Sequence, residues 1–76
     1  MDIRIKILNE DNIINSIEYN NIKQDITTEI ISLINECGFE YFIYDKFQFN
    51  IIADDKNKLL NLLNYINSIA INNISI

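Results

Sequence analysis

The sequence predicts a small α+β domain in which an antiparallel-dominated sheet carries two helices on one face. Three observations lead to this prediction. Apolar residues alternate with charged ones near the amino terminus, and a β-prone aromatic segment covers residues 39–52. Apolar residues also recur at helical spacing in segments 26–37 and 55–69. A chain of 76 residues is enough for one domain, so we expect residues 1–76 to form a single unit.

The first predicted element is a strand over residues 2–8, with its isoleucines on one side and its basic residues on the other. The polar segment 9–12 predicts a turn. Segment 13–20 then fits two structures. Ile13, Ile17 and Tyr19 share one side of an extended chain, whereas Ile13, Ile14 and Ile17 also fit one helical face. We favour a second strand, because a helix running on to the next segment would be unusually long for this domain.

The next segment, residues 26–37, predicts a helix. Its apolar side chains follow the spacing of one helical face: Ile26, Ile30, Leu33, Ile34 and Cys37. Asp25 is a suitable N-terminal cap, and Gly38 lies where a left-handed residue commonly ends a helix.

The aromatic segment 39–52 is long for one strand. We divide it at Asp45-Lys46 into a hairpin, although one bent strand remains an alternative because the turn lacks an Asn-Gly pair. A two-residue turn there would put one apolar row on the face that the helices cover: Phe42, Tyr44, Phe47, Phe49 and Ile51.

The second helix is predicted over residues 55–69, with Asp54 or Asp55 as its cap. One side of this helix is apolar and consists of Leu59, Leu62, Leu63, Ile66 and Ile69. The opposite side is polar and consists of Asn57, Asn61, Asn64 and Ser68. Ile74 and Ile76 alternate in the tail and favour a closing edge strand. If segment 13–20 is a strand, the order is ββαββα with a terminal strand. If it is not, the order is βαββαβ, which is ferredoxin-like.

Composition excludes several classes of function. The chain has no histidine, one glycine and one cysteine, Cys37, so it offers no histidine acid–base group, no phosphate-binding glycine loop and no structural zinc site. The paired carboxylates, Glu10-Asp11 and Asp54-Asp55, fit turns and caps. We therefore predict no catalytic residue, no metal site and no cofactor, and we expect the protein not to be an enzyme.

The net charge of −5 disfavours direct binding to nucleic acid or to an anionic membrane. One thiol and no long apolar segment lead us to expect a cytoplasmic protein. Small domains have thin stability margins, and self-association would bury more apolar surface, so a homodimer is one expected state.

The most patterned surface feature is acidic. Asp25, Glu29 and Glu36 fall on one flank of the first predicted helix, and Glu10 and Asp11 would extend this flank if their segment packs nearby. We take these five residues as the candidate site for a basic protein partner.

The leading hypothesis is a non-enzymatic protein-interaction domain, which would serve as an adaptor, a subunit or an inhibitor and would bind through its acidic helix edge or an open sheet edge. Its sharpest version is an acidic inhibitor of a nucleic-acid-handling machine. The alternative is a small-ligand- or RNA-binding α+β domain that uses an exposed aromatic sheet face. The alternative needs at least one exposed ring among Phe42, Tyr44, Phe47 and Phe49.

Overall fold

Strands and helices follow one another in the order ββαββα in the computed structural model of the protein, which describes residues 1–45 and 47–74. The elements are β1 (Ile3–Asn9), β2 (Asn12–Tyr19), α1 (Thr27–Glu36), β3 (Glu40–Asp45), β4 (Gln48–Ile52) and α2 (Lys56–Asn72). Segment 13–20 therefore lies in a strand as far as Tyr19, and the alternative in which it extends the first helix is wrong.

The four strands form one mixed sheet in the order β2-β1-β4-β3. The two hairpins are antiparallel, and the central pair, β1 with β4, is parallel. The ferredoxin-like order βαββαβ is therefore wrong. Within the described residues the tail adds no closing strand, because Ile74 makes only an isolated bridge with Ile22. Ile76 lies outside the described residues.

Both helices pack on one face of the sheet, as predicted, and the core lies between the two layers. Alternation along the central strands directs their apolar side chains to this face, where those of the helical stripes meet them. The largest fully buried side chains are Phe49, Ile3, Ile5, Ile7, Ile30, Ile34, Ile51, Leu62 and Ile66. No buried polar or charged side chain occurs among the described residues. Burial of apolar surface is therefore the main source of stability in the core.

The first helix begins and ends close to where the sequence predicts. The N-cap is Ile26, which makes no side-chain capping bond, so the prediction of Asp25 as the cap is wrong by one residue. The carboxylate of Asp25 nevertheless accepts the backbone N–H of Thr27 at 2.9 Å and its hydroxyl at 2.6 Å, which satisfies a donor of the first turn. At the other end Gly38 has a φ of 78°. Its N–H bonds to the carbonyl of Asn35, and the N–H of Phe39 bonds to that of Ile34. This pair of bonds is a Schellman motif, and it turns the chain directly into β3.

The second helix is capped by Asp55, whose carboxylate accepts the N–H groups of Asn57 at 2.9 Å and Lys58 at 3.3 Å. The helix runs three residues beyond the predicted end, to Asn72. Its polar stripe is exposed, as predicted. Among the described residues, no helix combines the length and the apolar character that crossing a bilayer requires.

The β3–β4 hairpin differs from the predicted one by one residue of register over Glu40–Ile43, and its register shifts once more before Asp45, which pairs with Gln48. The predicted turn paired Phe42 with Phe49, but the observed register pairs Phe42 with Asn50 and Ile43 with Phe49. A shift of one residue moves a strand's side chains to opposite faces. The predicted single row of aromatic side chains is therefore wrong, because Phe49 is buried in the core while Phe42 projects from the other face. The predicted turn residue Lys46 lies outside the described residues.

The β1–β2 hairpin contains an irregularity that also changes a face. The pairing steps from Ile7 with Asn15 to Leu8 with Ile13, so one residue of β2 is left over in a bulge. Ile17 and Tyr19 remain on the helix side, as the strand alternative predicted. Ile13 does not, because the bulge turns it to the other face, where it is 57% exposed.

Candidate interaction surface

No described element covers the face of the sheet opposite the helices. Cross-strand pairing arranges its side chains in three rows across the strands. The first row is apolar except for Glu40 at its end, the middle row is mixed, and the third is polar. In sheet order they read Ile13, Leu8, Ile52, Glu40; then Ser16, Lys6, Asn50, Phe42; then Glu18, Arg4, Gln48, Asp45. The last row contains an exposed ion pair, Arg4 Nε to Glu18 Oε2, at 3.2 Å.

An exposed apolar run lies on β3, which forms one edge of the sheet. Three consecutive side chains on it are exposed to water: Phe42 by 61%, Ile43 by 50% and Tyr44 by 77%. Burial of residues this large is a major source of free energy when proteins associate. Because they lie on an edge strand, the backbone groups of β3 that point away from β4 are open to a further strand.

The opposite edge, β2, has a different character. Ile13 and Ile14 are exposed there, but Asn12, Asn15, Ser16 and Glu18 interrupt the apolar run. Charged and polar side chains on an edge strand discourage further strand pairing. The two edges of the sheet are therefore unequal, and β3 is the less protected one.

A cleft of about 220 Å³ opens at the start of β3, and it carries two carboxylates. Glu40 and Asp54 contribute these, and Gly38, Phe39 and Ile52 complete its walls. A second cleft of about 210 Å³ lies at the other end of the β3–β4 hairpin, where Asp2 and Arg4 are among its lining residues. Both volumes fall below the roughly 300–1,000 Å³ of typical small-molecule sites.

The five predicted site residues are all exposed, but they do not form one cluster. Asp25 precedes α1, and Glu29 and Glu36 lie on it; α1 packs against β3 and α2. Glu10 and Asp11 form the turn between β1 and β2, the two strands at the edge of the sheet opposite to β3. Asp25, Glu29 and Glu36 therefore share one helix flank, and the turn does not extend it.

The described side chains include no group of three or more carboxylates or thiols placed to hold a metal ion together. Cys37 is a free, half-buried thiol at the end of α1. Burial raises the pKa of the Tyr19 phenol above its ordinary value of 10.0, and its hydroxyl donates to Asn67 Oδ1 at 3.2 Å. This hydrogen bond ties α2 to β2 and is a packing contact.

Reasoning from the sequence allowed for binding at an open sheet edge but did not identify β3 as that edge. Residues 41–44 form an apolar run with side chains on both faces of a strand, and a helix layer covers only one of those faces. That pattern was the available signal. No protein-family model, no curated protein and no solved structure matches this chain, and the functional argument therefore rests on the surface just described.

Proposed function

We propose that this chain is a non-enzymatic protein-interaction domain, which serves as an adaptor, a subunit or an inhibitor. The observation that carries the proposal is the apolar edge of the sheet, where Phe42, Ile43 and Tyr44 are at least half exposed on consecutive positions. Exposed apolar patches on small domains commonly mark protein-binding sites. The absence of histidine from the sequence and the small size of both clefts support a binding role over a catalytic one.

The charge of the protein supports a basic partner. The net charge is −5, and Asp25, Glu29 and Glu36 share an exposed flank of the helix that packs against β3. Complementary charge accelerates association and selects among partners. In its sharpest form the proposal is an acidic inhibitor that occupies a basic surface of a nucleic-acid-handling machine. The unpaired thiol of Cys37 supports a cytoplasmic location.

The test is capture of proteins from native lysate on the immobilised domain, with identification by mass spectrometry. One variant reverses the helix flank, Asp25→Lys with Glu29→Lys and Glu36→Lys, and a second changes the edge, Tyr44→Lys. The control places three lysines on the polar stripe of α2 by Asn57→Lys, Asn61→Lys and Asn64→Lys. We expect the wild type and the control to retain the same captured protein and at least one of the other variants to lose it.

Circular dichroism should show that all four proteins are folded, since every substituted side chain is exposed. The flank variant should be the less stable one, because Asp25→Lys removes the hydrogen bonds to Thr27 and puts a cation near the start of α1. Equal capture by all four proteins would overturn the proposal, because neither the acidic flank nor the apolar edge would then contribute to binding.

A second candidate function is RNA binding on the open sheet face, and one observation favours it. Phe42, Asn50 and Lys6 lie in one row across β3, β4 and β1, which combines a ring for stacking, an amide and a cation. The net charge opposes this function. Fluorescence anisotropy with a labelled oligouridylate tests it. Binding that is lost in both Phe42→Ala and Lys6→Glu would support it, and no binding at low salt would remove it.

A further inference from the structure

We infer that β3 accepts an extended segment of the partner as a fifth strand of the sheet. This segment is apolar along its middle and carries a lysine or arginine at the end that meets Glu40. The inference rests on the proposed function and adds to it the mode of binding and the chemistry of the bound segment.

The first step of the argument is the state of the edge. Natural edge strands are blunted by charges, by proline, by a β-bulge or by a covering element. Residues 41–44 of β3 contain neither a charge nor a proline, and the exposure of Phe42, Ile43 and Tyr44 shows that no described element covers them. The register of β3 with β4 shifts between Ile43 and Asp45, so the regular part of this edge is Glu40–Ile43. An added strand would satisfy the open backbone groups and bury these side chains at the same time.

The second step is the choice between a foreign strand and a second copy of this chain. Antiparallel pairing of two β3 strands centred between Phe42 and Ile43 would place Glu40 of each copy opposite Asp45 of the other. Each copy also carries a net charge of −5. Like charges directly opposite one another destabilise strand pairing. The charge on this edge therefore favours a segment with basic ends over a second copy.

The third step is the cleft at the start of β3. Glu40 and Asp54 place two carboxylates on it, and Phe39 and Ile52 supply apolar wall. A lysine or arginine has an aliphatic stem and a cationic tip, so its stem fits such a wall while its tip meets the carboxylates. A basic residue at the end of the added strand would therefore set its register along β3.

The experiment titrates the labelled protein with capped peptides and follows backbone amides by heteronuclear NMR. The probe peptide alternates valine and threonine between two terminal lysines. There are two control peptides. In the first, glutamates replace the terminal lysines. In the second, alternate backbone amides are N-methylated, which blocks strand pairing. The protein variants are Tyr44→Lys and Glu40→Lys, and the control variant is Tyr65→Lys, which changes a tyrosine of α2 that is 56% exposed.

We expect the lysine peptide to shift the amides of β3 and to slow their hydrogen exchange, with smaller changes on β2. Tyr44→Lys removes an apolar contact with the peptide, and Glu40→Lys reverses a charge that attracts it. Each should weaken binding of the lysine peptide about fivefold or more, while Tyr65→Lys should not. Both control peptides should bind more weakly. No shift at about 1 mM peptide, or equal binding of the glutamate peptide, would overturn the inference.

Two further outcomes would also overturn it. Shifts of β3 that depend on protein concentration without peptide would assign the edge to a second copy. Shifts confined to the open sheet face on addition of an oligouridylate would assign the surface to RNA. The proposed function itself would survive a failure of this inference if the Asp25, Glu29 and Glu36 variant lost its captured protein while Tyr44→Lys retained it.

Discussion

Phe42 and Phe49 lie on opposite faces of the same hairpin, because β3 pairs Phe42 with Asn50 and Ile43 with Phe49. Phe49 is completely buried under the helices, whereas Phe42 is 61% exposed on the open face. The two residues have the same chemistry and neighbouring positions. One contributes to folding, and the other is available for binding.

Alanine substitutions should separate these roles. Phe49→Ala should lower the free energy of unfolding by about 3–5 kcal/mol through lost burial and a residual cavity. Phe42→Ala should change it by no more than about 0.5 kcal/mol. Urea denaturation followed by circular dichroism measures both, and Phe49→Leu, which leaves a smaller cavity, provides a folded comparison if Phe49→Ala does not fold. Equal losses at the two positions would contradict the assigned register.

Glu10 occupies a left-handed backbone conformation with a φ of 56°, as the first of the two residues between the paired Asn9 and Asn12. A turn with positive φ at its first central position favours glycine there. Glu10→Gly should therefore raise the free energy of unfolding by about 1 kcal/mol. Asp11→Gly is the matched control, and it should lower stability because the φ of Asp11 is not positive. Thermal denaturation of both variants measures the difference, and a loss of stability in Glu10→Gly would refute the argument.

The raised pKa of Tyr19 predicts a loss of stability at high pH. In the unfolded chain this phenol ionises near pH 10.0, and burial raises its pKa in the folded protein. Between these two pKa values the folded state still holds a proton that the unfolded state has released. The contribution of Tyr19 to the free energy of unfolding is therefore intact below pH 10 and is lost as pH rises through the folded pKa. Tyr19→Phe should flatten the fall of unfolding free energy above pH 10 in urea titrations. Identical slopes in the two proteins would show that this phenol is not the cause.

The cap that Asp55 provides at the start of α2 should make a measurable contribution to stability. Its carboxylate accepts the N–H groups of Asn57 and Lys58, so Asp55→Ala should lower the free energy of unfolding by about 1 kcal/mol. Asp54→Ala is the control, because it removes the neighbouring carboxylate, which lines the cleft. It should lower the free energy of unfolding by no more than a few tenths of a kcal/mol, roughly the effect of an exposed charge near a helix start. Chemical denaturation compares the two, and equal losses would exclude a capping role for Asp55.

The helices were predictable because their signals are local. The spacing of Ile30, Leu33 and Ile34 and the stop at Gly38 act within a few residues of the chain, as does the hydrogen bond from Thr27 to Asp25 just before α1. The same holds for the alternation in β1. The pairing of β1 with β4 was not predictable in this way, because it joins residues such as Leu8 and Ile52 that no local period connects.

The candidate surface was only partly predictable for the same reason. Helical periodicity placed Glu29 and Glu36 correctly on an exposed flank. The exposure of Phe42 and Tyr44 depends on hairpin register, which the turn determines, and this turn carries no Asn-Gly signature. The bulge in β2 is a similar case, since one unpaired residue reverses the side on which Ile13 projects.

The central place of β1 has a consequence for biosynthesis. In the sequence β1 precedes its inner neighbour, Gln48–Ile52, and β2, α1 and β3 lie between the two. A chain synthesised only as far as β3 can form the first hairpin and α1, but the side of β1 that pairs with β4 stays open. The sheet is therefore completed only after β4 has been synthesised, by the pairing of two segments that are distant in sequence.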